Sequence, residues 1–338
     1  MTAVGIQEQL DRPAADADDL DALLEREAAD VTPAMRLPSP TPEPGQTEPE
    51  WLEEVSRLRA QHDAMALDAN RIPPEAGGRS AIAQSRYLDI PAGSTKIAAR
   101  AYRPAGEPPY PAVVIFHGGA WWMGGGATGY RLNDDLCRAV CGDVNALVVN
   151  VDYRLAPEHR YPVQLEDGYA ALKYLADDPD GLGVDPSRIA LLGISSGGNL
   201  AAGLSLLTYH RGGPAVRVQI LVHPVLDVTG SVLAEEHDEP SMSTLTAIRD
   251  LYMHTTEVHG RQYASPVLVP DLSGQPPTVV FTAGSDPLRH EGRRYTERLQ
   301  KAGVDATLFE YPGTHTTTTR TVRQERNREL LAALRRLL

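Results

Sequence analysis

Short apolar runs recur along the chain at Tyr87–Ile90, Ile97–Tyr102, Ala112–Phe116, Ala146–Val151, Arg188–Leu192, Val216–Val222, Thr278–Ala283 and Ala306–Tyr311. Several are apolar on both faces and alternate with helical patterns, which predicts mostly parallel strands covered by helices on each side. Upstream, Trp51, Leu52, Val55, Leu58, Met65 and Leu67 fall roughly at helical spacing, so 51–69 predicts a helix with one buried face. Leu330, Leu331, Leu334, Leu337 and Leu338 predict an amphipathic closing helix over Val322–Leu338. The rhythm breaks between Val222 and Thr278, a gap too long for a structureless connection in a compact domain. A helix-like stretch from Ser243 to His259 fills it, and about 225–262 is expected to be a cap inserted over the sheet.

Composition narrows the picture. A chain of 338 residues with 42% hydrophobic side chains can bury a sizeable core as one large α/β domain or two ordinary ones. Residues 1–49 are rich in Asp, Glu, Ala and Pro and predict a mobile acidic tail, with a short helix near Leu20–Ala29. Residues 50–79 form a second region around the helix, and 80–338 the main domain. The net charge of −13 argues against nucleic acid or anionic lipid as partners. Cys137 and Cys141, four apart on an expected helix, are too few for a disulfide framework or zinc site and read as small buried side chains. The first residues lack a basic and apolar leader and no stretch approaches a membrane span, so a cytoplasmic protein is expected. His237, His254 and His259 lie among acids in the insertion, but the i, i+5 spacing of the last two misaligns them on a helix, and no metal is expected.

The chemistry gathers where expected strands end. Gly193-Ile194-Ser195-Ser196-Gly197 follows the run ending at Leu192 and leads into a helix-forming stretch, a strand–turn–helix setting that lifts Ser195 as a nucleophile. After Phe116 comes His117-Gly118-Gly119-Ala120, whose main-chain N–H groups can face an oxyanion, with the N–H of Ser196 as a further donor. After Ala283 comes Asp286, and after Tyr311 comes His315. A serine hydroxyl needs a base, and an imidazole held by a buried carboxylate supplies one, so His315 and Asp286 complete the set. No other histidine is read as following a late strand. Trp121, Trp122 and Met123 are candidates for an acyl pocket, with plain core as the alternative. His117 is expected to support its loop, and Asp152, Arg154 and Glu158 to form a structural network behind it. Glu291 falls in the next expected helix, a weak substitute for Asp286.

With these motifs the chain resembles the hormone-sensitive-lipase-like carboxylesterases, bacterial family IV of the α/β-hydrolase superfamily. The resemblance runs from about 85 to 315 and includes HGGAWWMGG, DYRLAPEHRYP, GISSGGNLA, YASPVLVPDLSGQPPTVVFTAGSDPLRHEG and LFEYPG in family order. It implies a mostly parallel eight-stranded sheet, a helical cap formed by the N-terminal helix and the insertion, and Ser195, Asp286 and the Gly118–Ala120 loop in their family roles. Three positions depart. Ala120 replaces a third glycine, at a cost of about 1 kcal/mol that leaves its N–H in place. Ile194 stands where an aspartate is common. A single residue, Thr314, separates Gly313 from His315 where the family has two, and threonines follow in place of Gly-Phe. One residue of chain is worth about 3.5 Å, against a tolerance of roughly 0.5 Å in a catalytic constellation. The loop must therefore re-anchor for His315 to act.

The expected activity is hydrolysis of small carboxylic esters of short to medium acyl chain, with no cofactor. Two rivals use the same residues: an acyltransferase or biosynthetic tailoring enzyme, and a non-catalytic small-molecule binding protein. Sequence leaves the oligomeric state open, a homodimer being one outcome. The insertion segment Ser241, Met242, Ser243, Thr244, Leu245, Thr246 is less aromatic than family caps often are.

Overall fold

A computed structural model describes residues 40–69, 81–178, 180–236, 239–253 and 262–338. The expected tail before residue 40, its short helix, His237, His254, His259 and the side chains of Ser241, Met242 and Ser243 lie outside the described residues.

Every expected strand forms. In chain order they are β1 (Gln84–Ala92), β2 (Thr95–Arg103), β3 (Tyr110–Phe116), β4 (Leu147–Asp152), β5 (Val184–Ile194), β6 (Val218–Val222), β7 (Thr278–Ala283) and β8 (Ala306–Tyr311). They make one sheet in the order β1-β2-β4-β3-β5-β6-β7-β8. The β1–β2 hairpin and the β2–β4 pair are antiparallel, and every pair from β4–β3 to β7–β8 is parallel. Parallel neighbours must be joined by crossovers, which here are helices on both faces.

The apolar runs are continuous because both faces of the central strands are covered. Along β3, Ala112, Val114 and Phe116 enter one core layer, while Val113 and Ile115 enter the other. The first layer packs beneath α4 (Val163–Asp177), α5 (Ser196–Arg211) and α8 (Arg289–Lys301) through Leu172, Leu204 and Tyr295. The second packs beneath α3 (Asp134–Val144) and α9 (Arg320–Leu337). It takes up Cys137, Cys141, Leu330 and Leu334, with both thiols free and buried.

Three helices lie over the carboxyl ends of the strands: α1 (Glu48–Ala69), α2 (Gly126–Leu132) and, within the insertion, α7 (Glu239–Tyr252), which follows the short α6 (Ser231–Glu235). The buried stripe of α1 is Trp51, Val55, His62 and Ala66, whereas Met65 is 53% exposed. Met65 does not join the apolar face, because one position of offset turns a side chain about 100° away around a helix. Trp51, Val55, Trp122, Met123, Ala156 and Leu251 form a third apolar cluster that joins α1, α7 and the loop after β3. The insertion helix starts earlier than expected and ends at Tyr252, with 254–261 outside the described residues.

Candidate active site

β5 runs straight into Ser195, which adopts φ 56° and ψ −117° before α5 begins at the next residue. A non-glycine residue there is strained and is held only by its surroundings. Ser195 N–H donates to Val222 O at 2.8 Å, fixing the turn against β6. The flanking glycines are demanded by close approach: a Cβ on Gly193 would sit 2.0 Å from Gly197 O, and one on Gly197 would sit 2.2 Å from Phe116 O.

Three strand ends then converge. Ser195 Oγ lies 2.8 Å from His315 Nε2, and His315 Nδ1 lies 2.8 Å from Asp286 Oδ2. The short loop after β8 re-anchors through its own hydroxyls and main chain. Thr314 N–H donates to Thr317 O at 2.9 Å, Thr317 N–H to Thr314 Oγ1 at 3.0 Å, and Thr318 Oγ1 to Pro312 O at 3.1 Å. Ser285 N–H donates to Gly313 O at 2.9 Å and ties this loop to the one carrying Asp286. The threonines that replace Gly-Phe thus close a tight turn with His315 inside it.

The electrostatics suit a base and its orienter. Burial disfavours charge on both groups, and mutual attraction outweighs it. Asp286, 1% exposed, is held below the usual carboxylate range by the His315 charge and hydrogen bond, helped by His223 and the Leu288 N–H. Burial pulls the His315 imidazole down, but the charge and hydrogen bond of Asp286 raise it above its ordinary value.

The loop after β3 ties back its carbonyls. Tyr153 OH donates to His117 O at 2.9 Å, His117 Nδ1 to Gly118 O at 2.7 Å, and the Met123 N–H to Gly119 O at 2.9 Å. Among the described residues no acceptor is paired with the N–H groups of Gly118, Gly119 or Ala120. Ser196 opens α5, so its N–H is a first-turn donor without an intrahelical acceptor. Gly118 abuts Ser195, since a Cβ there would lie 3.3 Å from Ser195 Cβ. Ala120 takes φ 52° and Trp121 φ 62°, so the backbone keeps a glycine-like path without the third glycine. His117 stacks on Tyr153 with centroids 4.2 Å apart, and burial lowers its pKa, consistent with a supporting part.

A cavity of about 820 Å³ opens over Ser195 and His315. Trp121 lines it and stacks on Tyr252 at 4.2 Å, with Val225, Leu245 and Ile248 adding apolar wall. Trp122 and Met123 do not line it; both are fully buried in the cluster beneath α1, so the apolar run after the glycines splits between wall and core. Asp152, Arg154 and Glu158 likewise form no single network. Asp152 accepts from Gly126 N–H at 2.7 Å, Arg154 pairs with buried Asp167, and Glu158 pairs with Arg59 at 2.7 Å.

One site residue escaped the sequence reading. His223 follows β6 directly, at φ 47°, with its Nδ1 3.7 Å from Asp286 Oδ2 and its Nε2 3.3 Å from Arg326 Nη1. The expectation that no second histidine follows a late strand is therefore wrong. The signal was present, because Val218–Val222 ends at His223 and functional groups in open α/β sheets gather beyond the carboxyl ends of the strands. Glu291, on α8, is fully buried, accepts from the N–H groups of Leu226 and Asp227, and holds the start of the insertion rather than the histidine. Among the described residues no group of three or more His, Cys, Asp or Glu side chains could hold a metal.

The chain is similar to known proteins over more than half of its length. Residues 113–317 match the family described as alpha/beta hydrolase fold. Carboxylesterase NlhH of Mycobacterium tuberculosis is 38% identical over 228 residues, covering 65% of this chain and 70% of that protein. Among solved structures, a hyperthermophilic esterase from Pyrobaculum calidifontis superposes with TM-score 0.71 at 33% identity, covering 83% of this chain and 93% of the other. A bacterial heroin esterase superposes with TM-score 0.74 at 30% identity over 96% of this chain and 98% of that one.

Proposed function

From the premise that the chain belongs to the alpha/beta hydrolase fold family, in its hormone-sensitive-lipase-like branch, we propose that Ser195, His315 and Asp286 are its catalytic triad. The chain is a carboxylic ester hydrolase. The observation that carries the residue assignment is the pair of 2.8 Å contacts running from Ser195 Oγ through the two ring nitrogens of His315 to Asp286 Oδ2.

The carboxylate accepts from Nδ1–H, which leaves the Nε2 lone pair to take the serine proton as Oγ attacks the ester carbonyl. Negative charge then develops on the carbonyl oxygen, where the N–H groups of Gly118, Gly119, Ala120 and Ser196 supply donors. The imidazolium beside Asp286 returns its proton to the departing alcohol. Water, activated by the same nitrogen, cleaves the acyl-enzyme and releases the acid.

The apolar wall of Trp121, Val225, Leu245 and Ile248 favours esters of short to medium acyl chain. In the same reading α1 and the insertion from about 225 to 262 serve as the cap, which the cluster shared by Val55, Trp122 and Leu251 supports. No helix among the described residues is long and apolar enough to cross a membrane, and the reading keeps a cytoplasmic location. The continuous Ser195–His315–Asp286 contact speaks against a purely binding role.

The test is turnover of p-nitrophenyl acetate and butyrate by the intact protein beside Ser195→Ala and His315→Ala. Loss of turnover in both variants is expected. Folded Ser195→Ala protein that still turns over ester would overturn the assignment. Product analysis with a competing alcohol separates hydrolysis from acyl transfer.

A further inference from the structure

Two imidazoles address one carboxylate oxygen. His315 Nδ1 lies 2.8 Å from Asp286 Oδ2 and His223 Nδ1 lies 3.7 Å from the same atom, with the two rings 6.0 Å apart at 72°. Both could bind a proton and compete for the anion. On the far side of His223, Arg326 of α9 brings Nη1 to 3.3 Å from Nε2.

Resting on the triad reading above, we propose that Arg326 holds His223 as a neutral imidazole protonated on Nδ1, a positioning pair that reserves Asp286 for His315. A guanidinium can only donate, so His223 Nε2 must present a lone pair to Arg326 and the single ring proton must sit on Nδ1. That N–H faces Asp286 from beyond hydrogen-bonding distance and adds a weak dipole without displacing His315. Were Nε2 also protonated, two cations would face each other at 3.3 Å with little water between them.

The groups facing His223 come from each neighbouring element. Asp286 follows β7, His315 follows β8 and Arg326 lies on α9; Arg323, one turn before it, and Tyr311, at the end of β8, line the same cavity and act on Arg326. Only Asp286 favours a charged His223. Burial, Arg326 and His315 oppose it, in that order, and together they lower the His223 pKa to about 3. The proton released by Ser195 therefore stays on His315. Without Arg326 the nearest opposing charge is gone and the second ring gains basicity, although burial still holds it below an ordinary imidazole; once protonated it is a cation on the same carboxylate and weakens the hold on His315.

The experiment is the pH dependence of p-nitrophenyl acetate turnover for the intact protein, Arg326→Met, Arg326→Lys and the double variant Arg326→Met with His223→Phe. Burial persists in Arg326→Met, so His223 there takes its proton below the ordinary imidazole value near 6.5, toward the acid end of the profile. Arg326→Met is thus expected to lose turnover more steeply than the parent as pH falls from 7.5 to 4.5, on a two-proton limb. Arg326→Lys keeps the charge and the single-proton limb, and the double variant regains that limb because the competitor is gone. A constant factor at every pH in Arg326→Met, or an extra limb that survives in the double variant, overturns the proposal. Should Arg326→Met not fold, histidine ring ¹⁵N shifts of the unmodified protein decide: His223 protonated on Nδ1 and neutral from pH 7.5 to 5.5 supports it, and titration in that range or a proton on Nε2 refutes it. Those shifts read His223 directly, so failure of the triad assignment, seen as turnover surviving Ser195→Ala, is a separate result.

Discussion

Arg59 on α1 donates through Nε to the carbonyl oxygen of Trp122 at 2.6 Å, joining a helix early in the chain to the loop that follows β3. The same guanidinium donates to Ala156 O at 2.9 Å and grips both carboxylate oxygens of Glu158 at 2.9 and 2.7 Å. Asp63, one turn on, accepts from Gly124 N–H at 3.2 Å. The helix thereby braces the loop after β3 that carries the proposed oxyanion donors.

Arg59→Ala is expected to lower stability by about 1–3 kcal/mol, the range for losing hydrogen bonds to a charged, partly buried donor. Turnover should fall with it, because the loop loses its outer brace. Arg59→Lys should rescue only part, since a single ammonium cannot replace the fork. Denaturant midpoints and kcat for the three proteins check this; unchanged kcat in a destabilised Arg59→Ala would separate the brace from catalysis.

Asp286→Asn is expected to cut turnover on the order of 10³–10⁴-fold, because the amide neither fixes the Nδ1–H tautomer nor stabilises the imidazolium. The pH profile should move as well. With Asp286 present the His315 pKa is raised, so activity, which needs the neutral base, is lost as pH falls through a value above the ordinary one. Removing the carboxylate charge lets burial dominate, and the acid limb of the residual activity should move to lower pH. A limb that stays in place would show that another group governs it.

Ala120 sits at φ 52°, where an L side chain costs about 1 kcal/mol and glycine costs little. Ala120→Gly is expected to leave stability within about 1 kcal/mol, as relief of strain is offset by a more flexible unfolded chain. Since the group needed is the main-chain N–H, kcat should change by less than about threefold, against roughly 10²–10³ for loss of an oxyanion donor. Steady-state kinetics on the single variant decide between these outcomes.

Glu291 is buried with its pKa raised well above the usual carboxylate range, chiefly by desolvation and despite the two backbone N–H groups it accepts. An acid whose folded pKa is raised binds its proton more tightly when folded. It favours the folded state most at pH below the unfolded value near 4.3, and that contribution declines as pH rises toward the folded value. Glu291→Gln keeps an acceptor for Leu226 and Asp227 without the titrating proton. Melting curves at pH 5 and pH 8 should therefore show the variant gaining on the parent as pH rises, whereas Glu291→Ala, which leaves both N–H groups unpaired, should be destabilised at both.

How much of this was legible beforehand depended on the range of the interaction involved. The strands were legible because their apolar runs are local and period-two burial on both faces leaves a continuous signature. Ser195 was legible because the sharp turn requires small neighbours within two residues on either side. Met65 misled because the helix face is set by the neighbour it meets, and Trp122 and Met123 misled because apolar side chains beside a cavity and beneath a helix have the same composition. His223 escaped because its place after a strand is only a local signal, and its meaning appears once β7, β8 and α9 bring Asp286, His315 and Arg326 around it.

By itself the sequence determined the sheet, the order of serine, acid and histidine, and the chemistry those groups can perform, since each follows from local periodicity and residue type. Tertiary structure alone decided that the shortened threonine loop delivers His315 to 2.8 Å from Ser195 and that a second imidazole shares the carboxylate. Those outcomes rest on ångström-scale distances between residues up to 120 positions apart, which only packing of the whole sheet and its helices can set.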